Sequence, residues 1–372
     1  MHAIQARGWL LLAFVVVSSA SWAPSSARVV VQAGQGAQGA GMQSIGPLAF
    51  GPDGTLFAAD NQGAAIVALD LGASAQGGVA GAKGIEGLDA QLAALLGTGT
   101  PDVVITDLAV HPQTRHAYVS AMRGQGAGAA PTLFRIDGAG KIALVPIQSL
   151  KFQSVAVPNA PAANPAARQD PRASVITDMA FTDGRLWVAG LSNEEFASKL
   201  RAIPYPFASV DRGTSVEIYH GNHRQLETRS PVNAFVPYTI GNQPYLLAGY
   251  TCTPLVKFPI ADLKPGDKVR GTTIAEFGAG NRVLDMIVYK KGGQEFLLTT
   301  NNSRGVMKIP TGTFATATPI TAPVDTETGG VPFEKVTSMT GIVQMDKLDD
   351  QHSIVIARAG SGPANLQVFP LP

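Results

Sequence analysis

The chain has 372 residues, 45 % of them hydrophobic and 15 % charged, which is enough apolar material for a large core and too little charge for a disordered chain. Its formal net charge is +1 with no basic run, so there is no electrostatic footprint for nucleic acid or anionic lipid. The 41 glycines and 26 prolines cut the sequence into short segments, a pattern of all-β repeats rather than long helices.

Residues 1–23 read as a secretory leader. Arg7 supplies the positive start, residues 9–17 form an apolar run too short to span a bilayer comfortably, and Ser18 and Ala20 suit cleavage after Ala20. No later stretch is long and apolar enough to cross a membrane, so the expected mature product is a periplasmic or secreted monomer without a membrane span. Cys252 is the single cysteine, which rules out an intrachain disulfide. Residues 24–44 hold a short strand pattern, RVVVQ at 28–32, and then a Gly-, Ala- and Gln-rich stretch expected to be flexible.

From residue 45 onward one motif returns. ITDLAV at 105–110 recurs as ITDMAF at 176–181 and VLDMIV at 283–288, with looser copies IGPLAF at 45–50, VNAFVP at 232–237 and VTSMTG at 336–341. Each copy leads into a turn and a second apolar β-type run. Six such units over residues 45–372 predict a six-bladed β-propeller.

The first unit continues through 55–60 and 65–70, and an Ala/Leu-rich helix is expected at 88–96. The second unit takes 105–111, 116–120, 132–137 and 141–145, and is followed by a long Pro- and Ala-rich loop at 146–174. The third takes 176–181 and 185–190, an insertion at 191–213 with a helical turn near 194–200, and a hairpin at 215–229. The fourth takes 234–238, 245–250, 255–259 and 272–277, and the fifth 283–289, 295–300, 306–310 and a weak strand near 314–318. The sixth has only 336–343, 353–358 and 366–369. A missing outer strand there and a spare strand at 28–32 predict that the N-terminal strand completes the last blade and closes the ring.

In a propeller the starts of the inner strands and the loops between second and third strands gather on one rim. Asp107, Asp178 and Asp285 occupy equivalent inner-strand positions, with Pro47, Ala234 and Ser338 at the matching places. Carboxylates at a channel mouth suit a hard cation such as Ca²⁺; equally, each Asp can accept backbone N–H bonds and pin its blade to the next. Arg123, Arg304 and Arg358, with Asn301 and Asn302, fall on the second-to-third loops, and converging guanidinium forks suit a carboxylate or phosphate. Pairing of each arginine with a nearby acid is the alternative.

Cys252 lies on such a loop with no histidine evident as a base, so it reads as an inert thiol. His220 and His223 are expected at a turn on the far rim, with no third ligand close in sequence. The chain has no CxxCH, phosphate loop or GxSxG elbow, and a single tryptophan, Trp187, in the repeats.

The unit IGPLAFGPDGTLFAADNQGAAIVALDL, residues 45–71, resembles blades of NHL-type and gluconolactonase-like six-bladed propellers. That resemblance implies a divalent metal in the channel held by Asp, Asn and Glu, for which Asp285, Asn301, Asn302 and Glu194 have the right chemistry. Two functional readings follow. One is an exported propeller that binds a small anionic ligand or a protein partner on its loop-bearing face. The other is a metal-dependent, Ca-type lactone or ester hydrolase at the channel mouth.

Overall fold

The computed structural model describes residues 32–34, 40–72, 83–164, 166–252 and 254–372, with residues 32–34 and 127 described in backbone only. The leader at 1–23 lies outside them, as do residues 28–31 of the expected closing strand. No described helix is long and apolar enough to cross a membrane. Six sheets form the blades of a propeller. Their inner strands are, in chain order, Leu48–Phe50, Val103–Val110, Asp178–Thr182, Val232–Ile240, Val283–Lys291 and Ile342–Lys347, and blades are numbered here by that order.

Among the described residues six apolar clusters fill the gaps between neighbouring blades. Leu56 and Tyr118 share one and Phe57 and Leu186 another; Trp187 packs with Leu246, Leu247 with Leu297, Leu298 with Val355, and Val119 with Ile356. Every blade is therefore apolar on both faces, which explains strands such as Leu56–Asp60, where all five residues are buried. These gaps also fix the order around the axis as 1–2–6–5–4–3. Blades 2 and 3 are consecutive in sequence but flank blade 1 in space.

The cause lies in blade 1. Its strands Leu48–Phe50, Leu56–Asp60 and Ala65–Asp70 are extended by Lys151–Ala156, which comes after the whole of blade 2. The long loop expected at 146–174 thus contains a strand, whose Phe152 and Val155 join the cores of two neighbouring gaps. Blade 2, in chain terms, is an insertion between the third and fourth strands of blade 1.

Closure of the ring by residues 28–32 is not confirmed, since residues 28–31 lie outside the described ones. Gln32–Gly34 lies outermost on blade 1, with Gln32 opposite Ser154. Among the described residues blade 6 has three strands, and its edge is met by Ile85, which exchanges both backbone hydrogen bonds with Leu366 at 2.8 and 2.9 Å. The helix Leu88–Leu96 follows and buries Leu88 and Leu92 between blades 2 and 6. Asp89 at its start accepts from Arg358 and from the Ala364 N–H, both at 3.1 Å.

Strands in blades 3 to 6 also depart from the sequence reading. The inner strand of blade 6 is Ile342–Lys347, whereas Val336 ends Glu334–Val336, the outer strand of blade 5 in place of one near 314–318. In blade 3 the expected insertion holds the third strand, Ser198–Pro204. Its buried side chains include Lys199 and Arg201, which disguise the alternation. Thr214–His220 then becomes the fourth strand and Gln225–Glu227 a fifth. Lys268–Arg270, from the blade 4 segment, pairs parallel with Thr214–His220 and stitches the two blades together.

Candidate functional site in the axial channel

The inner strands carry a shared irregularity. Register slips by one residue between Ile105 and Asp107, Val232 and Ala234, Val283 and Asp285, and Ile342 and Gln344. A bulge re-aims the residue that follows it, and in blades 2 and 5 that residue is an aspartate. Asp178 opens the inner strand of blade 3 at the equivalent point. Blade 6 has Gln344 there, so Ser338 is not the matching residue; an aspartate, Asp346, follows two positions later on the same strand.

All four carboxylates bridge blades in the same way. One oxygen accepts the N–H of the next residue in its own strand: Leu108, Met179, Met286 and Lys347 respectively, at 2.6 to 2.8 Å. The other accepts an N–H from the inner strand of the neighbouring blade. Asp107 takes Leu48, Asp178 takes Phe235 and Asp346 takes Val110, each at 2.6 Å, while Asp285 takes Met345 at 2.8 Å. Inner strands are sheet edges with N–H groups that need partners away from water. The pinning role is thus realised at every one of these aspartates, and Asp346, one pleat further along, binds correspondingly further along its neighbour.

The four carboxylates stand on the wall of an axial cavity of about 420 Å³ lined by all six inner strands. Each is enclosed by protein while part of its surface faces the cavity. Burial raises the Asp107 carboxyl to about 8, against the lowering effect of the Leu48 and Leu108 N–H groups, and Asp178 and Asp346 raise it further by repulsion. Burial likewise lifts Asp178 to about 7 and Asp346 to about 6, the latter moderated by its N–H donors, Arg115 and Lys347. Asp285 is pushed well up by burial and then by Asp107 and Asp178. Four acids from four blades repel one another across one space. Among the described residues the only basic side chain on its wall, Lys347, is paired with Asp350 at 2.6 Å.

The residues expected to bind an anion are not gathered there. Arg304 pairs with Glu327 at 2.5 Å, Arg358 pairs with Asp89, and Arg123 is exposed at the end of the second strand of blade 2. Asn301 is buried against Thr299 and the Gly305 carbonyl, and Asn302 accepts the Arg282 N–H at 2.6 Å. None of these five lines the axial cavity. Glu194 is engaged by Lys199 and by Asn159, so the Asp/Asn/Glu donor set implied by the gluconolactonase-like resemblance is not assembled around Asp285.

Cys252 sits on the second-to-third turn of blade 4 as expected, but His220 and His223 end up on the opposite rim from the one expected. The extra strand in blade 3 moves the turn after His220 to the near rim, beside the second-to-third turn of blade 4. Donor atoms of all three residues lie within 4.8 Å of one another. The reversal follows from counting one strand too few.

No family model matches the chain, and the search of curated proteins found no match. Solved structures similar to it include an oxidoreductase (glucose dehydrogenase) of Thermus thermophilus, at 12 % identity and TM-score 0.37, covering 92 % of this chain and 100 % of that one. Another is the PQQ-bound aldose sugar dehydrogenase of Streptomyces coelicolor, at 12 % identity and TM-score 0.31, with 92 % and 99 % covered. A streptogramin B lyase gives 10 % identity and TM-score 0.32, with 92 % and 98 % covered. The six-bladed arrangement itself stands on the strand pairing and core clusters described above.

Proposed function

We propose that this chain is an exported binding propeller whose axial cavity takes a small organic cation, an ammonium or guanidinium group on a compact body. The observation that carries this reading is the convergence of Asp107, Asp178, Asp285 and Asp346 on one cavity wall where, among the described residues, the single basic side chain, Lys347, is already paired with Asp350. The sign is opposite to the one the rim arginines suggested, because two of those guanidinium groups are paired with acids and none reaches the channel. A cation entering the cavity relieves the mutual repulsion, and its N–H groups use the carboxylate lone pairs that the backbone leaves free. A cavity of this size is in the range of small-molecule sites. Calcium fits less well: it requires six to eight oxygens converging at 2.3–2.6 Å, whereas these four carboxylates stand on four different blades, each anchored by two backbone N–H bonds. Export rests on the leader pattern in residues 1–23.

The test is calorimetric titration and thermal melting at pH 7.5 with a panel of primary amines, guanidinium compounds and Ca²⁺, on the wild type and on Asp178→Asn. The expected result is saturable binding of a member of the organic panel that raises the melting temperature and weakens about tenfold or more in the variant. A response to Ca²⁺ alone would move the reading to a hard-cation site. No response to any cation would end it.

A further inference from the structure

The rim between blades 3 and 4 holds a second constellation, independent of the channel. His220 closes the strand Thr214–His220, and His223 lies in the turn that follows. The two rings are 3.8 Å apart between centroids. Cys252 faces them from the turn between Gln243–Tyr250 and Pro254–Pro259. Two acids complete the surroundings. Glu227 Oε1 is 3.1 Å from His220 Nδ1 and 2.6 Å from His223 Nδ1, and Glu276 Oε2 is 3.6 Å from His220 Nε2.

His220 is fully buried, yet both of its ring nitrogens and Glu276 Oε2 lack a partner in hydrogen-bonding geometry. Buried polar atoms without partners are costly, at about 1–3 kcal/mol each. Their concentration at one point, beside a thiol and a second imidazole, points to metal coordination. We infer that His220, His223 and Cys252 bind a zinc-type divalent metal ion that clamps blade 3 to blade 4. Two imidazoles and one thiolate are a donor set for Zn²⁺, which completes four-coordination with a water or a carboxylate, and Glu227 is at hand on the half-exposed His223 side. Whichever nitrogen of His220 takes the metal, the other faces a glutamate, the outer arrangement that fixes imidazole orientation in zinc sites. Half-exposed His223 and partly exposed Cys252 give the ion a path from solvent. On binding, the thiol proton leaves to solvent and the sulfur coordinates as thiolate.

Cys252 is the only thiol in the chain, so a thiol reagent reports on this site alone. The experiment uses the tag-free, chelator-treated full chain, titrated with Zn²⁺ while Cys252 modification is followed, and with Co²⁺ while the optical spectrum is recorded. Expected are protection of the thiol at one equivalent of Zn²⁺ and a thiolate-to-cobalt charge-transfer band with intense d–d absorption of tetrahedral type. The band should vanish in Cys252→Ser, and Glu276→Gln should lower zinc affinity about 10- to 100-fold. His223→Gln alters a partly exposed turn residue and keeps the test valid if Cys252→Ser fails to fold; it should abolish the protection. An unprotected thiol at saturating Zn²⁺, no charge-transfer band, or zinc affinity unchanged in His223→Gln would each overturn the inference.

Discussion

The Asp346 carboxylate accepts the Val110 N–H at 2.6 Å, across 236 residues of sequence and across the gap between the last blade and the second. With its counterparts at Asp107, Asp178 and Asp285 it makes the channel wall both a set of inter-blade ties and a store of electrostatic repulsion. These carboxyls have folded pKa values above their unfolded one. The native state therefore keeps protons that the unfolded chain has already lost, and stability falls as pH rises toward about 8, the value for Asp107. His111 and His116, lowered by burial, act in the opposite direction only below their ordinary value of 6.5. Melting temperature should thus decline between pH 6.5 and 8, and Asp107→Asn should flatten that decline whatever it does to absolute stability. A flat wild-type profile over this window would contradict the arrangement.

Closure by a mid-chain segment makes a second expectation. Ile85→Pro removes the donor to Leu366 and should cost about 1–3 kcal/mol by chemical denaturation. Asp89→Ala strips the Ala364 N–H and the Arg358 guanidinium of their shared acceptor. Because the Arg358 side chain is one-third exposed, water compensates part of that loss, and about 2 kcal/mol is expected.

Gly190, in the strand Arg185–Leu191, packs so closely on the preceding segment that a Cβ would lie 1.9 Å from the Val175 carbonyl oxygen. The obstacle is backbone and cannot rotate away. Gly190→Ala should destabilise the fold by about 3 kcal/mol or more, read as a lowered denaturation midpoint or loss of soluble protein.

Lys199 is buried in blade 3 and answered by Glu194 and by the Ser215 hydroxyl at 2.7 Å. Glu194→Gln leaves the ammonium with neutral partners only. A loss of about 1–3 kcal/mol is expected, reduced from that of a fully enclosed pair because Glu194 is partly exposed. Adding Lys199→Met should recover much of it, a non-additivity that a double-mutant cycle measures directly.

The repeat ITDLAV, ITDMAF, VLDMIV made the blade count readable, because every blade buries both faces of its inner strand and needs the same apolar pattern there. Asp107, Asp178 and Asp285 stood out for the same reason, since each caps an equivalent strand edge. Asp346 did not, because IVQMDK carries its acid one pleat late and Gln344 holds the usual place. Ser198–Pro204 escaped notice because its inward positions include Lys199 and Arg201, whose burial depends on Glu194 and on neighbouring backbone rather than on apolarity. The pairing of Lys151–Ala156 with Ala65–Asp70 was beyond local reading, since nothing in KFQSVA says which sheet it will join. Cys252 and the two histidines could have been brought together on paper, had the strand count in blade 3 been right by one.

The exchange of places between the first two blades has a consequence for how the molecule is made. As the polypeptide emerges N-terminus first, Leu48–Asp70 forms a sheet lacking its outer strand and must wait for some eighty further residues. During that delay Val103–Val145 can finish as a self-contained unit. Arrival of Lys151–Ala156 then locks two adjacent blades at once, giving a paired seed onto which blade 3 and its successors assemble. A delay before residue 151 emerges should therefore prolong exposure of the apolar edge at Ala65–Asp70, where incomplete chains would be most prone to stick to one another.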